Sequence, residues 1–171
     1  MAVMGAAIGI RDEVAFASLI APFVADAQRL AYGMLMSPTD CEDAVQEATF
    51  KAWRAHHRLR PNSDLRAWFL TIVANECRQR RRNRWSSILK FADLVTAQPR
   101  SVDFTDQALD LRDALTRLPY EMRLAIVLRY YLDLPLDEIG RVLKVSDKAA
   151  KARIHRGLRR LRVEIDGADD A

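Results

Sequence analysis

The stretch LPLDEIGRVLKVSDKAAKARIHRGLRRLR, from Leu134 to Arg162, has the pattern of two short helices joined by a tight turn. Pro135 suits the first turn of a helix, where the N–H that proline lacks would be unpaired anyway. Ile139 and Leu143 then recur at helical spacing, and Ser146 is a good N-cap for a second helix. The stretch therefore predicts a helix-turn-helix unit.

Positive charge is concentrated on the second of these helices. Between Arg141 and Arg162, nine Lys or Arg stand against one acid, Asp147, which gives +8 in a chain of net charge +4. Ala150 and Ile154 recur at helical spacing and can face a core, which leaves the bases facing outward. Such a face usually binds a phosphate backbone, although a solvated basic helix in a bundle remains the alternative. The candidate DNA-contacting residues are Lys148, Lys151, Ala152, Arg153, His155, Arg156, Arg159 and Arg160.

Composition limits the fold class and the number of domains. With 171 residues, 50% hydrophobic and 29% charged, the chain is globular and could form one domain or two small ones. Strand-like alternation is scarce, so we predict an all-α fold. We expect no membrane span, because no uninterrupted apolar run approaches about 18 residues. Weak periodicity after residue 86 predicts two small helical domains, 1–90 and 106–171, joined by a flexible linker over 91–105.

Cysteine and histidine usage gives no sign of a catalytic or metal centre. Cys41 and Cys77 lack CxxC or Cys/His clustering, so buried reduced thiols are favoured and a redox role stays open. His56 and His57 end a helix without Cys or His companions, and we interpret them as surface residues. HExxH and Gly-rich phosphate motifs are absent from the sequence. We therefore predict no metal, no cofactor and no enzymatic activity.

The first domain contains an acidic helix and an arginine-rich one. Thr39 followed by Glu42 predicts a capping box at the start of the acidic helix, whose carboxylates could be solvated or could bind a basic partner. Ser63 is the predicted N-cap of the next helix, which runs into ECRQRRRNRW with five Arg in the seven residues 78–84. Arginines beside Trp68 suit single-stranded nucleic acid, although a solvated helix end would also complement the helix dipole.

Three segments together resemble a known family. DCEDAVQEATFKAWR, SDLRAWFLTIVANECRQRRR and the segment 118–162 resemble the bacterial RNA polymerase sigma factors of the extracytoplasmic-function (ECF) group. The resemblance covers about residues 12–163, with both modules in the family's order. It implies a helical domain 2 that binds polymerase and the −10 element, and a helical domain 4 that binds the −35 element.

The resemblance also assigns roles to individual residues. Polymerase contacts fall on Asp40, Glu42, Asp43, Gln46, Glu47 and Trp53. Contacts with the −10 element, including capture of a flipped base, fall on Asn62, Ser63, Asp64, Trp68, Asn75, Arg78, Arg81 and Arg82. The −35 contacts fall on the basic helix described above. Two departures affect the −35 reading: Ala149 and Ala152 stand where Thr or Ser is frequent, and Lys144 replaces the usual turn glycine.

The implied partners are core RNA polymerase, promoter DNA and an anti-sigma factor, and the implied location is the cytoplasm. Three other classes of protein remain as alternatives. A sigma-like decoy would bind an anti-sigma factor without directing transcription. A helix-turn-helix repressor would use its N-terminal module to dimerise or to bind a ligand. A helical nuclease or recombinase would need catalytic residues that no motif in the sequence provides.

Overall fold

The computed structural model describes residues 12–60, 62–90 and 106–166, and their side chains except those of 84–90, 106–109 and 166. Helices and turns account for the secondary structure of these residues, and no strand occurs among them, as the sequence predicted. The chain divides into two compact units, Met1–Cys77 and Arg78–Ala171. This division falls inside a helix, ahead of the predicted boundary at residue 90. The predicted linker, 91–105, lies outside the described residues.

The first unit is built from helices that surround one small core. In chain order these are α1 (12–20), a 3-10 turn (Ala21–Phe23), α2 (Val24–Leu35), α3 (Pro38–Ala55), a second 3-10 turn (His56–Arg58) and the start of α4 (Leu65–Lys90). Pro22 lies in the first 3-10 turn, between α1 and α2. Proline changes the helical geometry here, because it cannot donate the hydrogen bond that a continuous α-helix needs.

The core of this unit combines large side chains from α2 and α4 with small ones from α3. Leu30, Met34 and Phe69 are fully buried. Ala44 and Ala48 are also fully buried, and their small size lets α3 pack closely on α2. Burial of large apolar side chains supplies about 1.5–3 kcal/mol each, so this layer is the main stabilising element of the unit.

Two ion pairs link α4 to α2 and α3. The guanidinium of Arg66 donates to the Asp26 carboxylate at 2.7 Å, and the Lys51 ammonium donates to Glu76 at 2.8 Å. Glu76 is buried, so its charge needs this partner. The hydrogen bond that the Lys51 ammonium donates to Glu76 is the largest cause that raises the pKa of Lys51.

The N-terminus of α3 differs from the prediction. The helix begins at Pro38, and the hydroxyl of Ser37 accepts a hydrogen bond from the Asp40 amide at 3.4 Å. The capping box predicted at Thr39 is therefore wrong, because Thr39 already lies inside the helix. A proline at the first helical position suits this start, which lies two residues earlier than predicted.

The N-cap of α4 lies one residue after the predicted position. The Asp64 carboxylate accepts a hydrogen bond from the Ala67 amide at 2.9 Å, so Asp64 is the N-cap. Ser63, the predicted cap, instead donates its hydroxyl to the Arg60 carbonyl at 2.8 Å.

The second unit packs a long helix against three shorter ones. It contains α5 (Asp106–Arg117), α6 (Tyr120–Ile126), a π-helical segment (Val127–Tyr131), α7 (Leu136–Leu143) and α8 (Asp147–Asp166). Leu118, Leu124, Leu128 and Ile139 are among its fully buried side chains. α8 contacts α5, α6 and α7, so the basic helix is held by the core of this unit.

Gly157 explains how closely α8 lies on α6. A Cβ at this position would stand 2.9 Å from the Ile126 Cδ1 and 3.3 Å from the Met122 Cβ. The lower helix propensity of glycine, which costs about 1 kcal/mol, is thus offset by a closer helix packing.

One helical run of the described chain, Asp12–Leu35, is long and apolar enough by length and composition to cross a membrane. The sequence did not predict this run, because Asp26 and Arg29 interrupt its apolar residues. Phe16, Ile20, Leu30 and Met34 from this run are buried by protein. A core helix passes the same test of length and composition, so the run is weak evidence for a membrane segment.

Candidate nucleic-acid and polymerase interfaces

The turn between α7 and α8 closes with paired backbone hydrogen bonds. Lys144 adopts the left-handed conformation, with φ 55° and ψ 45°. Its amide donates to the Arg141 carbonyl at 3.3 Å, and the Val145 amide donates to the Gly140 carbonyl at 2.9 Å. This is the Schellman pattern, which satisfies carbonyls at a helix end. Lys144 therefore holds, at the turn position where a glycine is usual, a conformation that glycine adopts without strain.

Close approach at the turn explains a second glycine. A Cβ on Gly140 would stand 2.9 Å from the Val145 carbonyl oxygen. The hydroxyl of Ser146 accepts a hydrogen bond from the Ala149 amide at 3.3 Å, which confirms Ser146 as the N-cap of α8. The direction of α8 is therefore set by backbone and capping contacts on both sides of the turn.

The two faces of α8 separate as the sequence predicted. Ala150, Ile154 and Leu161 are buried, and Ala152 is half-buried at the edge of the exposed face. The exposed polar residues that were proposed for DNA contact are Lys148, Lys151, His155, Arg156, Arg159 and Arg160. A convex cationic face of this kind can enter the major groove of DNA.

Arg153 is placed differently from the other bases of α8. Its guanidinium donates to the Glu121 carboxylate of α6 at 2.8 Å, and its side chain is 23% exposed. Glu121 also pairs with Arg78, which belongs to the same compact unit. A phosphate would have to compete with Glu121 for Arg153.

Helix α3 presents a continuous acidic face. The exposed polar residues on this face are Glu42, Asp43, Gln46 and Glu47, while Asp40 near the helix start is half-buried. Phe50 continues the face at 55% exposure, with the Arg54 guanidinium 5.8 Å from its ring centroid. Aromatic side chains are enriched at protein–protein interfaces, so Phe50 is a candidate contact residue on this face.

Trp53 belongs to an aromatic cluster at the end of α3. Its ring meets Phe16 of α1 edge-on at 5.3 Å between centroids and stacks on His56 at 4.9 Å. The indole is half-buried by these contacts. Its role in polymerase binding stays a prediction, and the cluster gives it a structural role as well.

His56 is not the surface residue that the sequence suggested. Its side chain is 13% exposed, and its Nε2 lies 3.7 Å from the Asp12 carboxylate. Its Nδ1 lies 2.5 Å from the Trp53 carbonyl oxygen. His57 is exposed, as predicted, and its ring centroid is 3.8 Å from that of His56. No local signal could reveal this group, because Asp12 is remote in sequence.

The residues proposed for the −10 element lie on the loop before α4 and along that helix. Asn62 is exposed in the left-handed conformation, with φ 66°, which asparagine adopts more readily than most residues. Trp68 is half-buried and Asn75 is exposed. They share one side of α4, separated by two turns or roughly 10 Å along its axis.

The arginines that follow on α4 differ in exposure. The guanidinium of Arg78 lies 4.8 Å from the ring centroid of Tyr120, and that of Arg81 lies 5.7 Å from it. These are cation–π distances, and all three residues belong to the second compact unit. Arg82 is exposed.

Both cysteines are buried free thiols, which confirms their predicted placement. The Cys41 thiol donates to the Gln28 carbonyl at 3.3 Å, and burial raises its pKa above the ordinary value. A raised thiol pKa lowers the thiolate fraction and hence the reactivity of Cys41.

Comparison with known proteins gives matches to both helical modules. The model of Sigma-70 region 2 matches residues 19–87, and that of Sigma-70 region 4 matches residues 108–161. RNA polymerase sigma factor CarQ of Myxococcus xanthus is 30% identical over 152 residues, covering 86% of this chain and 87% of CarQ. RNA polymerase sigma factor SigV of Bacillus subtilis (strain 168) is 26% identical over 151 residues, covering 84% of this chain and 87% of SigV.

A solved structure is similar over nearly the whole chain. CnrH, solved in complex with the cytosolic domain of CnrY, matches with a TM-score of 0.68 and 26% identity. The match covers 91% of this chain and 90% of that chain. Sequence and fold comparisons therefore agree with the resemblance drawn from the motifs.

Proposed function

Because the chain belongs to the ECF group of RNA polymerase sigma factors, we propose that it binds core polymerase and directs it to promoters with specific −10 and −35 elements. The observation that carries this proposal is the exposed basic face of α8. The turn that precedes α8 holds the helix in place through backbone and capping hydrogen bonds. Sigma factors are transcription initiation factors, so the proposed role is recognition without catalysis. It would be performed in the cytoplasm, where core polymerase acts.

The proposed −35 reading relies on the centre of the exposed face of α8. Lys151 and Arg156 are both exposed on α8, and each can donate to guanine edges in the major groove. Ala152 at the edge of this face offers an apolar contact to a thymine methyl group in place of a hydroxyl contact. Arg159 and Arg160, nearer the end of the helix, suit phosphate contacts that fix register without reading sequence.

The proposed −10 reading uses the exposed side of α4. Opening DNA costs about 1–2 kcal/mol per base-pair step, and stacking on an aromatic side chain returns about 1–3 kcal/mol per base. Trp68 could form one wall for an extruded base, while the amide of Asn75 offers both a donor and an acceptor. Because Asn75 is two turns further along α4, we assign it to the base edge or to the neighbouring nucleotide.

The proposed polymerase contact is the acidic face of α3. Its carboxylates are exposed on a helix that the core of the first unit holds rigidly, so they need no reordering to meet a basic partner. Phe50 adds apolar area beside the charges. Anti-sigma binding is proposed by similarity alone: CnrH was solved with the cytosolic domain of CnrY, and we infer that this chain also binds a regulatory partner.

A binding experiment with core polymerase tests the first step. Glu42→Gln with Asp43→Asn removes two exposed charges and keeps the shape of α3. We expect this double variant to bind core polymerase at least about tenfold more weakly at low salt, with a shallower salt dependence, because the charges act across a polar interface. Asp110→Asn, an exposed acid on α5, is the matched control and should bind like the wild type. Equal binding by all three proteins would remove the acidic face from the proposal.

A further inference from the structure

Three side chains of residue types that can bind metal ions lie close together beside the aromatic cluster at the end of α3. Asp12 is the first described residue of α1. His56 and His57 follow the end of α3. One potential ligand atom from each residue lies within 4.8 Å of the others. We propose that Asp12, His56 and His57 form a binding site for a divalent transition-metal ion of the zinc class.

The hydrogen bond of His56 determines which of its nitrogens is available. A backbone carbonyl can only accept, so the Nδ1 of His56 must carry the proton that it donates to the Trp53 carbonyl. In the neutral ring this leaves a lone pair on Nε2, the atom that faces Asp12. Metal-binding histidines are commonly oriented in this way, with the other ring nitrogen donating to a carbonyl or a carboxylate.

The distance between His56 and Asp12 fits a shared cation better than a hydrogen bond. Nε2 and the carboxylate oxygen are 3.7 Å apart, beyond the usual hydrogen-bond range of about 2.7–3.2 Å. Two ligand atoms at tetrahedral positions around zinc are about 3.4 Å apart, given metal–ligand bonds of about 2.0–2.2 Å. A small adjustment of an exposed carboxylate would therefore complete two metal bonds.

The third ligand and the donor set define the class of metal. His57 is exposed, so its ring can rotate toward the site without disturbing buried packing. Two imidazoles and one carboxylate suit zinc, copper or nickel, whereas magnesium and calcium prefer oxygen ligands. Three protein ligands leave a coordination position for water.

Metal binding would fasten α1 to the end of α3. Asp12 is the part of the site contributed by α1, while the other two ligands follow α3, and Phe16 already packs on Trp53 one turn along. An ion that bridges the two segments would reduce fraying of the first turn of α1. The ion would also fix the ring on which Trp53 stacks.

Titration of metal-free full-length protein with ZnCl2, followed by calorimetry, tests the site without polymerase or DNA. We expect one equivalent of zinc to bind. MgCl2 should give no binding. His57→Ala and Asp12→Asn should each weaken zinc binding at least about tenfold. The matched control, His155→Ala, removes the remaining histidine of the sequence and should bind like the wild type.

A second measurement identifies the ligand atom. On addition of zinc, NMR of the imidazole nitrogens should shift the Nε2 signal of His56 and leave Nδ1 protonated. Hydrogen exchange of α1 should slow in the wild type and stay unchanged in His57→Ala. Absence of zinc binding, binding that survives both ligand variants, or binding lost in His155→Ala would each overturn the proposal.

Discussion

Replacing Lys144 by glycine should stabilise the helix-turn-helix unit. Lys144 holds φ 55° and ψ 45°, and its side chain is exposed. The left-handed conformation costs a residue with a Cβ about 1–2 kcal/mol, whereas glycine adopts it without that cost. The greater freedom of glycine in the unfolded chain removes about 0.4–1 kcal/mol of this gain. We therefore expect a net stabilisation of about 0.5–1 kcal/mol.

Two control variants separate this effect from the loss of a lysine. Lys144→Ala removes the charge and keeps the Cβ, so its stability should stay within about 0.5 kcal/mol of the wild type. Lys151→Gly changes an exposed lysine inside α8. That change should destabilise the helix by about 0.5–1 kcal/mol, because glycine is unfavourable in a helix interior. Whether a lysine-to-glycine change stabilises or destabilises the protein should thus depend on the backbone conformation at that position.

Native-state hydrogen exchange of the full chain, followed by mass spectrometry, gives the local free energy of opening. In Lys144→Gly, slowly exchanging amides of α7 and α8 should gain about two- to fivefold protection, while those of α2 and α3 should not change. Protection equal to that of Lys144→Ala, or lower, would refute the argument from backbone strain.

Other expected outcomes concern DNA binding, packing and thiol chemistry. Lys151→Ala and Arg156→Ala should each weaken binding to a −35 duplex by about 1–3 kcal/mol in a fluorescence titration, and wild-type affinity would remove these residues from the reading face. Asn75→Ala should keep polymerase affinity but reduce permanganate reactivity of the melted strand and blur the preference at one −10 position; an unchanged preference would exclude the amide contact. Gly157→Ala should lower the free energy of unfolding in urea, because overpacking of about 1–3 kcal/mol exceeds the gain in helix propensity of about 1 kcal/mol, and a more stable variant would contradict the packing argument. Cys41 should react slowly with iodoacetamide in the native protein and quickly in urea, and rapid native labelling would contradict its raised pKa.

The helix-turn-helix unit could be predicted because its determinants are local in sequence. Ser146 caps α8, Ala150 and Ile154 face the core, and Lys144 takes the left-handed turn position. Each feature depends on residues a few positions apart, so spacing alone reveals it. The faces of α8 followed from the same periodicity.

Features that depend on tertiary contacts could not be predicted from the sequence. Arg153 was among the candidate DNA contacts, but it forms an ion pair with Glu121 of α6, a tertiary contact that residue spacing does not reveal. The meeting of Asp12 with His56 likewise requires α1 to pack at the end of α3. The predicted N-caps of α3 and α4 were misplaced by two residues and one residue, because neighbouring Ser, Thr and Asp residues compete as caps and only the backbone geometry selects one.

Transcription from fragmented genomic DNA by core polymerase, with sequencing of the RNA 5′ ends, tests the central claim most directly because it requires no known promoter. Reactions with core polymerase alone supply the background. If the chain is a sigma factor that reads both elements, adding it should create discrete new start sites that share a −35 and a −10 sequence, and Asn75→Ala should alter only the −10 preference. Identical start sites with and without the protein would contradict the proposed role in promoter recognition.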